Sequence, residues 1–186
     1  TYNTYNNSNE QAVVLGNNVT MQDTVTATGQ IVSDPASKVA LNGDVTSTAG
    51  IGTVTTEQFD ASNAQTGKTV IDSMDDSVSG GIILGETTAG AVTLKTEGGN
   101  ISLGDNSVLD GTTVSAESAD LNKTVYSNDG GSWNTVASTE KLGTIEGSVT
   151  LGENTTVKGN STLTADDNIA IGNNSVILSL IHISEP

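Results

Sequence analysis

Cysteine and arginine are both absent from this 186-residue chain. Without cysteine there is no disulfide framework and no thiolate metal site. Without arginine nothing can clamp a phosphate or carboxylate bidentately. All six basic residues are lysines: Lys38, Lys68, Lys95, Lys123, Lys141 and Lys158. Against 22 acidic residues they leave a net charge of −16, which makes nucleic acid and anionic membrane surfaces poor partners. Such a surface implies solubility and weak association with divalent cations at most. Aromatic residues amount to 3% and hydrophobic residues to 34%, against about 45–50% apolar residues in an ordinary globular domain. A two-layer fold of this size would need more large side chains to fill its core. No stretch approaches the roughly 20 apolar residues of a membrane span, so no membrane insertion is expected within the segment. Thr1 to Glu10 is polar and Asn-rich, and the chain does not begin with Met. If the protein is exported, its signal is expected upstream of this segment.

Low hydrophobicity with high net charge is also the composition of a disordered chain. Two features oppose that reading. Proline is confined to Pro35 and Pro186, and the apolar residues are mostly Val, Ile and Leu in short alternating runs. One pattern recurs: aliphatic, any residue, aliphatic, Gly, then Asn, Asp or Glu followed by Asn or Thr. It occurs at Val13 to Val19, Ile82 to Thr87, Ile101 to Val108, Val149 to Val157 and Ile169 to Val176. A weaker copy, Val39 to Val45, has Asn42 in place of the first glycine. The step from Gly85 to Gly104 is 19, and that from Gly152 to Gly172 is 20. The step from Gly104 to Gly152 is 48 and that from Gly16 to Gly85 is 69, readable as two units of 24 and three of 23. A period in this range belongs to repeat architectures.

The expected fold is all-β, a right-handed parallel β-helix (β-solenoid) forming one domain of a longer repeat protein. Residues two apart share a strand face, so Val149, Leu151 and Val157 are predicted to point inward and Thr150 and Glu153 outward. The Gly or Asn after the second aliphatic residue suits a corner with positive φ, and stacked asparagines suit an amide ladder. About eight coils at about 4.8 Å each would make a rod about 40 Å long. No run has helical periodicity; Glu117 to Lys123 comes nearest and is read as a loop. The predicted divisions are a polar, disordered or linker-like start at 1–10, solenoid repeats over 11–178, and a tail at 179–186. That tail holds the only histidine and resembles translated sequencing-adapter read-through, so it is set aside as non-native.

Little in the sequence promises chemistry. His182 lies in the tail, which removes histidine-based triads and metal sites from the repeats. The carboxylate pairs Asp75-Asp76 and Asp166-Asp167 suggest acid–base or cation chemistry. Strand neighbours point to opposite faces, however, so both pairs read better as solvated turn residues. The Asn-x-Ser/Thr triplets at Asn18, Asn100, Asn122, Asn154 and Asn160 are expected by chance in a chain this rich in Asn and Thr. Thr55 to Gly67, with Phe59, is expected to bulge outward. Asn128 to Asn134 is a strong turn signal, and Trp133 within it either covers a coil edge or forms an exposed contact. No catalytic, cofactor-binding or metal residue is assigned, and no cofactor is expected.

The aliphatic-x-aliphatic-Gly copies resemble the passenger domains of bacterial autotransporters and filamentous-haemagglutinin-like exoproteins over roughly residues 11 to 178. That resemblance is one of style and period. It implies a right-handed β-helix exported by a type V route, secreted or displayed on the outer membrane, and a non-catalytic adhesin role toward a host or bacterial surface glycan or protein. Asn168 to Val176 also looks like the head repeat of trimeric autotransporter adhesins, although the spacings of 19 and 20 depart from its period of about 14. A β-helical polysaccharide lyase or hydrolase and a phage tail-spike-like fibre are the alternative functions. The lyase would need convergent carboxylates beside a cationic group.

Overall fold

A computed structural model describes residues 11–51, 66–71, 74, 77–129, 133–136, 140–178 and 182–184. The protein is all-β, with no α-helix among the described residues and with three six-stranded parallel sheets. The first sheet stacks Gln11–Leu15, Gln30–Ser33, Gly80–Leu84, Gly99–Leu103, Val149–Leu151 and Ile169–Ile171. The second stacks Val19–Met21, Lys38–Leu41, Glu86–Ala89, Val108–Asp110, Thr156–Lys158 and Val176–Ile177. The third stacks Val25–Thr28, Val45–Thr48, Thr93–Glu97, Thr113–Glu117, Thr162–Ala165 and His182–Ser184. The chain visits first, second and third sheet in turn, and each such circuit lies beside the one before it. His182–Ser184, in the segment set aside at the sequence level, pairs in parallel with residues 162–164.

Six circuits are described rather than eight, and the register explains the difference. Val19 lies opposite Val39, Thr88 opposite Val108 and Val149 opposite Ile169, the same short step each time. Ile31 lies opposite Ile82 and Ile101 opposite Val149, each more than twice as far along the chain. The long spacings are thus single circuits carrying insertions, each longer than a circuit itself. The weaker copy at Val39 to Val45 occupies a different place from the others. It spans the corner between the second and third sheets, whereas the strong copies span the corner between the first and second.

Alternation places one residue per pair inside. Ile31, Ile82, Ile101 and Val149 form an unbroken inward column with no exposed surface. Leu41, Ala89, Leu109 and Val157 form another in the second sheet, and Val45, Leu94, Val114 and Leu163 a third. Val149, Leu151 and Val157 are buried while Thr150 and Glu153 are exposed, as the alternation predicts. The interior where these three columns meet is filled by aliphatic side chains, with small hydroxyl residues such as Ser47 and Thr96 buried beside them. None of the strands of the three sheets carries a Phe, Tyr or Trp.

The glycines of the first corner serve clearance, and the positive φ falls two residues later. Asn18, Asn106, Asn154 and Asn174 are the left-handed residues, with φ of 55–62°. A short polar side chain tolerates that conformation better than a branched one. A methyl group on Gly152 would sit 2.5 Å from the Asp105 backbone nitrogen and 2.6 Å from the Gly104 carbonyl carbon. On Gly172 it would sit 2.5 Å from the Glu153 nitrogen. Each glycine is therefore pressed against the corner of the preceding circuit. The asparagines themselves are exposed, and buried hydroxyls supply the ladder instead. Thr87 N–H donates to Ser107 Oγ at 2.9 Å, and Ser107 Oγ donates to the Gly104 carbonyl at 2.6 Å. Thr155 N–H donates to Ser175 Oγ at 3.1 Å, and Thr155 Oγ1 donates to the Gly152 carbonyl at 2.8 Å. Hydroxyls thus satisfy amides of the preceding circuit and carbonyls within the corner, as buried polar groups require.

These contacts predict a paired result. Gly152→Ala is expected to cost about 1–3 kcal/mol, because backbone cannot yield to the added methyl. Gly16→Ala, which meets nothing within 4 Å, is expected to stay within about 0.5 kcal/mol of the parent. Urea denaturation of the two variants measures the contrast.

Candidate functional site

Both insertions leave the stack at the same corner, between the third and first sheets. One follows Thr48 and the other follows Glu117. The circuit between them turns that corner tightly through Gly98, whose φ is +81°. A methyl there would lie 2.7 Å from the Cβ atoms of both Ala49 and Ala119, which lie just beyond the two departing strands. Glycine thus lets the two insertions start side by side.

Beyond this point the insertions join. Gly50–Ile51 pairs antiparallel with Ser77–Val78, closing the foot of the first. Ala119–Asn122 pairs antiparallel with Lys141–Ile145, closing the foot of the second. Further out, Thr66–Ile71 from the first insertion pairs antiparallel with Thr124–Asp129 from the second, which also pairs with Trp133–Val136. The result is a three-stranded antiparallel sheet built from both insertions, an arm on the side of the parallel stack. At its base, a methyl on Gly143 would lie 3.0 Å from Met74 Sδ, so the two insertions also pack there. Leu121 and Val78 are buried beneath them.

The feet are held by polar contacts. Lys141 Nζ lies 2.9 Å from Asp120 Oδ1, and Thr144 Oγ1 donates to the same oxygen at 2.7 Å. Lys123 Nζ lies 3.3 Å from Glu140 Oε2. Asp166 Oδ2 accepts the Ser118 N–H at 2.7 Å, and Asp167 Oδ2 accepts the Ser148 hydroxyl at 2.7 Å. Ser118 and Ser148 are the residues where the second insertion departs and returns. The Asp166-Asp167 pair therefore lies at an exposed turn, as expected, and its two carboxylates bind different partners. It anchors the arm from the following circuit.

Asp75-Asp76 and Phe59 lie outside the described residues. The Asn128 to Asn134 turn signal falls where Thr124–Asp129 and Trp133–Val136 run antiparallel. Trp133 begins an edge strand of the arm, opposite Asn128. By register, positions 126 and 133 belong to the same face of the arm sheet. Glu117 to Lys123, read as a loop, is the end of one strand and the whole of another, Ala119–Asn122. The signal for the arm was present in the excess length of two of the repeat spacings.

Elsewhere the lysines are paired. Lys95 lies 2.9 Å from Glu97 and 3.2 Å from Glu117, and these two carboxylates hold its pKa above the ordinary lysine value. Lys38 and Glu86 are 3.6 Å apart, as are Lys158 and Asp110. Every lysine whose side chain is described thus faces a carboxylate. Among the described residues no three of His, Cys, Asp and Glu group as a metal site. A shallow cleft of about 230 Å³ on the outside of the second sheet is lined by Asn18, Thr20, Lys38, Ala40, Glu86 and Thr88 among others.

Two outcomes test this anchoring. Asp166→Ala is expected to cost about 1 kcal/mol locally, read as faster amide exchange at Ser118. The Thr144 hydroxyl, then Lys141, lowers the Asp120 pKa from its ordinary 3.8. A carboxylate with a lowered folded pKa stabilises the fold above its unfolded pKa, and that contribution disappears as pH falls through the folded one. NMR titration should find Asp120 ionising below 3.8, with protection of Lys141–Ile145 lost over the same range. No protein-family model, curated protein or solved structure matches this chain.

Proposed function

We propose that the three parallel sheets are the faces of a right-handed β-solenoid, and that the chain is a non-catalytic scaffold displayed on a bacterial surface or secreted. In this reading it is an adhesin-type segment resembling autotransporter passengers, and its partner is a surface glycan or protein. One observation carries the reading: a stack of near-identical circuits has two insertions, from separate circuits, that leave at one corner and unite into a single arm. Loops held by a rigid repeat are where such scaffolds place recognition. The arm also holds Tyr126 and Trp133, residue types that favour contact surfaces. The lysines whose side chains are described are engaged by carboxylates, which leaves the lyase alternative without a free cation among them to neutralise an acidic sugar.

Beads coated with the protein should adhere to cultured epithelial cells, and Asp75→Ala should leave that adhesion unchanged. Trp133→Ala should reduce it while the parallel stack melts normally. Polygalacturonate incubated with the protein and calcium should yield no unsaturated product by absorbance. Release of product, or abolition of an activity by Asp75→Ala, would overturn the adhesin reading in favour of the lyase.

A further inference from the structure

Two neighbouring circuits depart from the rule of the first corner. In the other four a left-handed asparagine leads into the second sheet: Asn18, Asn106, Asn154 and Asn174. By register Lys38 and Glu86 hold this place in the circuits that begin with Gln30–Ser33 and Gly80–Leu84, and they lie opposite each other. The first of these circuits turns its corner through Asp34 to Ser37. Asp34 Oδ1 accepts the Ala36 N–H at 2.8 Å, and the Asp34 carbonyl accepts the Ser37 N–H at 2.9 Å. The second turns through Gly85 and Glu86 with no positive φ at either. Neither circuit needs an asparagine there, so the outward position is open to other side chains.

The departure coincides with the cleft of about 230 Å³. Its floor belongs to the next outward column of the second sheet, which runs Thr20, Ala40, Thr88, Val108, Thr156 and Val176. Ala40 alone in that column has no branched side chain, so the surface dips between Thr20 and Thr88. Lys38 and Glu86 stand beside the dip, with Asn18 next to them. Their charges balance, but at 3.6 Å the contact is too long for a hydrogen bond. The ammonium N–H donors and the carboxylate lone pairs are thus left to solvent. Among the described residues no hydrogen bond engages these two side chains or those of Asn18, Thr20 and Thr88.

We infer that this cleft binds one neutral pyranose residue of a glycan. Lys38 donates to one ring hydroxyl and Glu86 accepts from its neighbour. Asn18, Thr20 and Thr88, each able to donate and to accept, meet the remaining hydroxyls, and a C–H face of the ring lies on the Ala40 methyl. A paired cation and anion suit a ligand that both donates and accepts, whereas a charged ligand would have to separate them. The net charge of −16 further disfavours anionic sugars. The volume is below the roughly 300–1,000 Å³ of sites for drug-sized ligands, which limits the site to a single ring. As a seat for a surface glycan the cleft rests on the adhesin reading. It is separate from the arm, because the second sheet is the one that the arm's corner does not border.

NMR titration of the protein with the methyl glycosides of glucose, galactose, mannose and N-acetylglucosamine tests the inference, with galacturonate and glucosamine as charged probes. At least one neutral glycoside should shift the amides of Thr20, Ala40 and Thr88 to saturation, and bind more tightly than either charged sugar. Ala40→Leu fills the dip and should weaken binding by about tenfold or more. It should keep the circular dichroism spectrum and melting of the parent, since the same column holds Val108. Glu86→Gln keeps the shape and should also weaken binding. Shifts that do not saturate with any neutral glycoside overturn the inference. So does tighter binding of a charged sugar, or binding that Ala40→Leu and Glu86→Gln leave unchanged. Adhesion of coated beads separates this outcome from the adhesin reading. Beads that adhere when no glycoside binds overturn the cleft and leave that reading standing. Saturable glycoside binding by a protein whose beads do not adhere supports the cleft and removes the adhesin reading.

Discussion

Each strand of the stack can satisfy its backbone only through the strands directly before and after it in the same sheet. That constraint governs the rest of the molecule. Parallel pairing sets neighbouring circuits about 4.8 Å apart, and every corner must turn within that spacing. At the first corner the space is so small that a methyl on Gly152 or Gly172 would enter the backbone of the preceding circuit. The asparagine two positions later then takes the left-handed conformation that finishes the turn.

The same spacing dictates what fills the inside. Each strand contributes one or two inward side chains, and the three columns face one another across a narrow space. Val, Ile, Leu and Ala fit there, and large rings do not. Where a column meets a corner, the inward residue becomes Thr87, Ser107 or Thr155, each buried and each hydrogen-bonded to backbone. A buried hydroxyl with partners costs little, whereas the unpaired amide it satisfies would cost about 1–3 kcal/mol. Charges stay on the outside, where pairs such as Lys95 with Glu97 and Glu117 contribute modestly.

The insertions escape these limits because they leave the stack. Freed from the circuit spacing, their strands pair antiparallel and include aromatic residues. The stack fixes where they begin, through Gly98 and the adjoining Ala49 and Ala119. Asp166 and Asp167 then hold both ends of the second insertion. A rigid, repetitive body and a single compositionally distinct arm are in this way produced by one chain.

Much of the stack was legible in the residues. The aliphatic alternation and the Gly-x-Asn corners encode strand, inward face and turn locally, and Val149, Leu151 and Val157 are buried as their spacing requires. The circuit count was not legible, because the long step from Gly104 to Gly152 reads equally as two long repeats or as one repeat with an insertion. Only the pairing of Ile101 with Val149 separates them. Asp166 and Asp167 were correctly read as turn residues, but their role as anchors was hidden, since Ser118 and Ser148 are far from them in sequence. What the sequence alone determined is the local rule, a strand with one apolar face and a corner needing glycine, because those depend on near neighbours. Which circuits lie side by side, and that two distant insertions meet in one arm, was decided by the tertiary structure, because backbone pairing between distant segments depends on register and not on local composition.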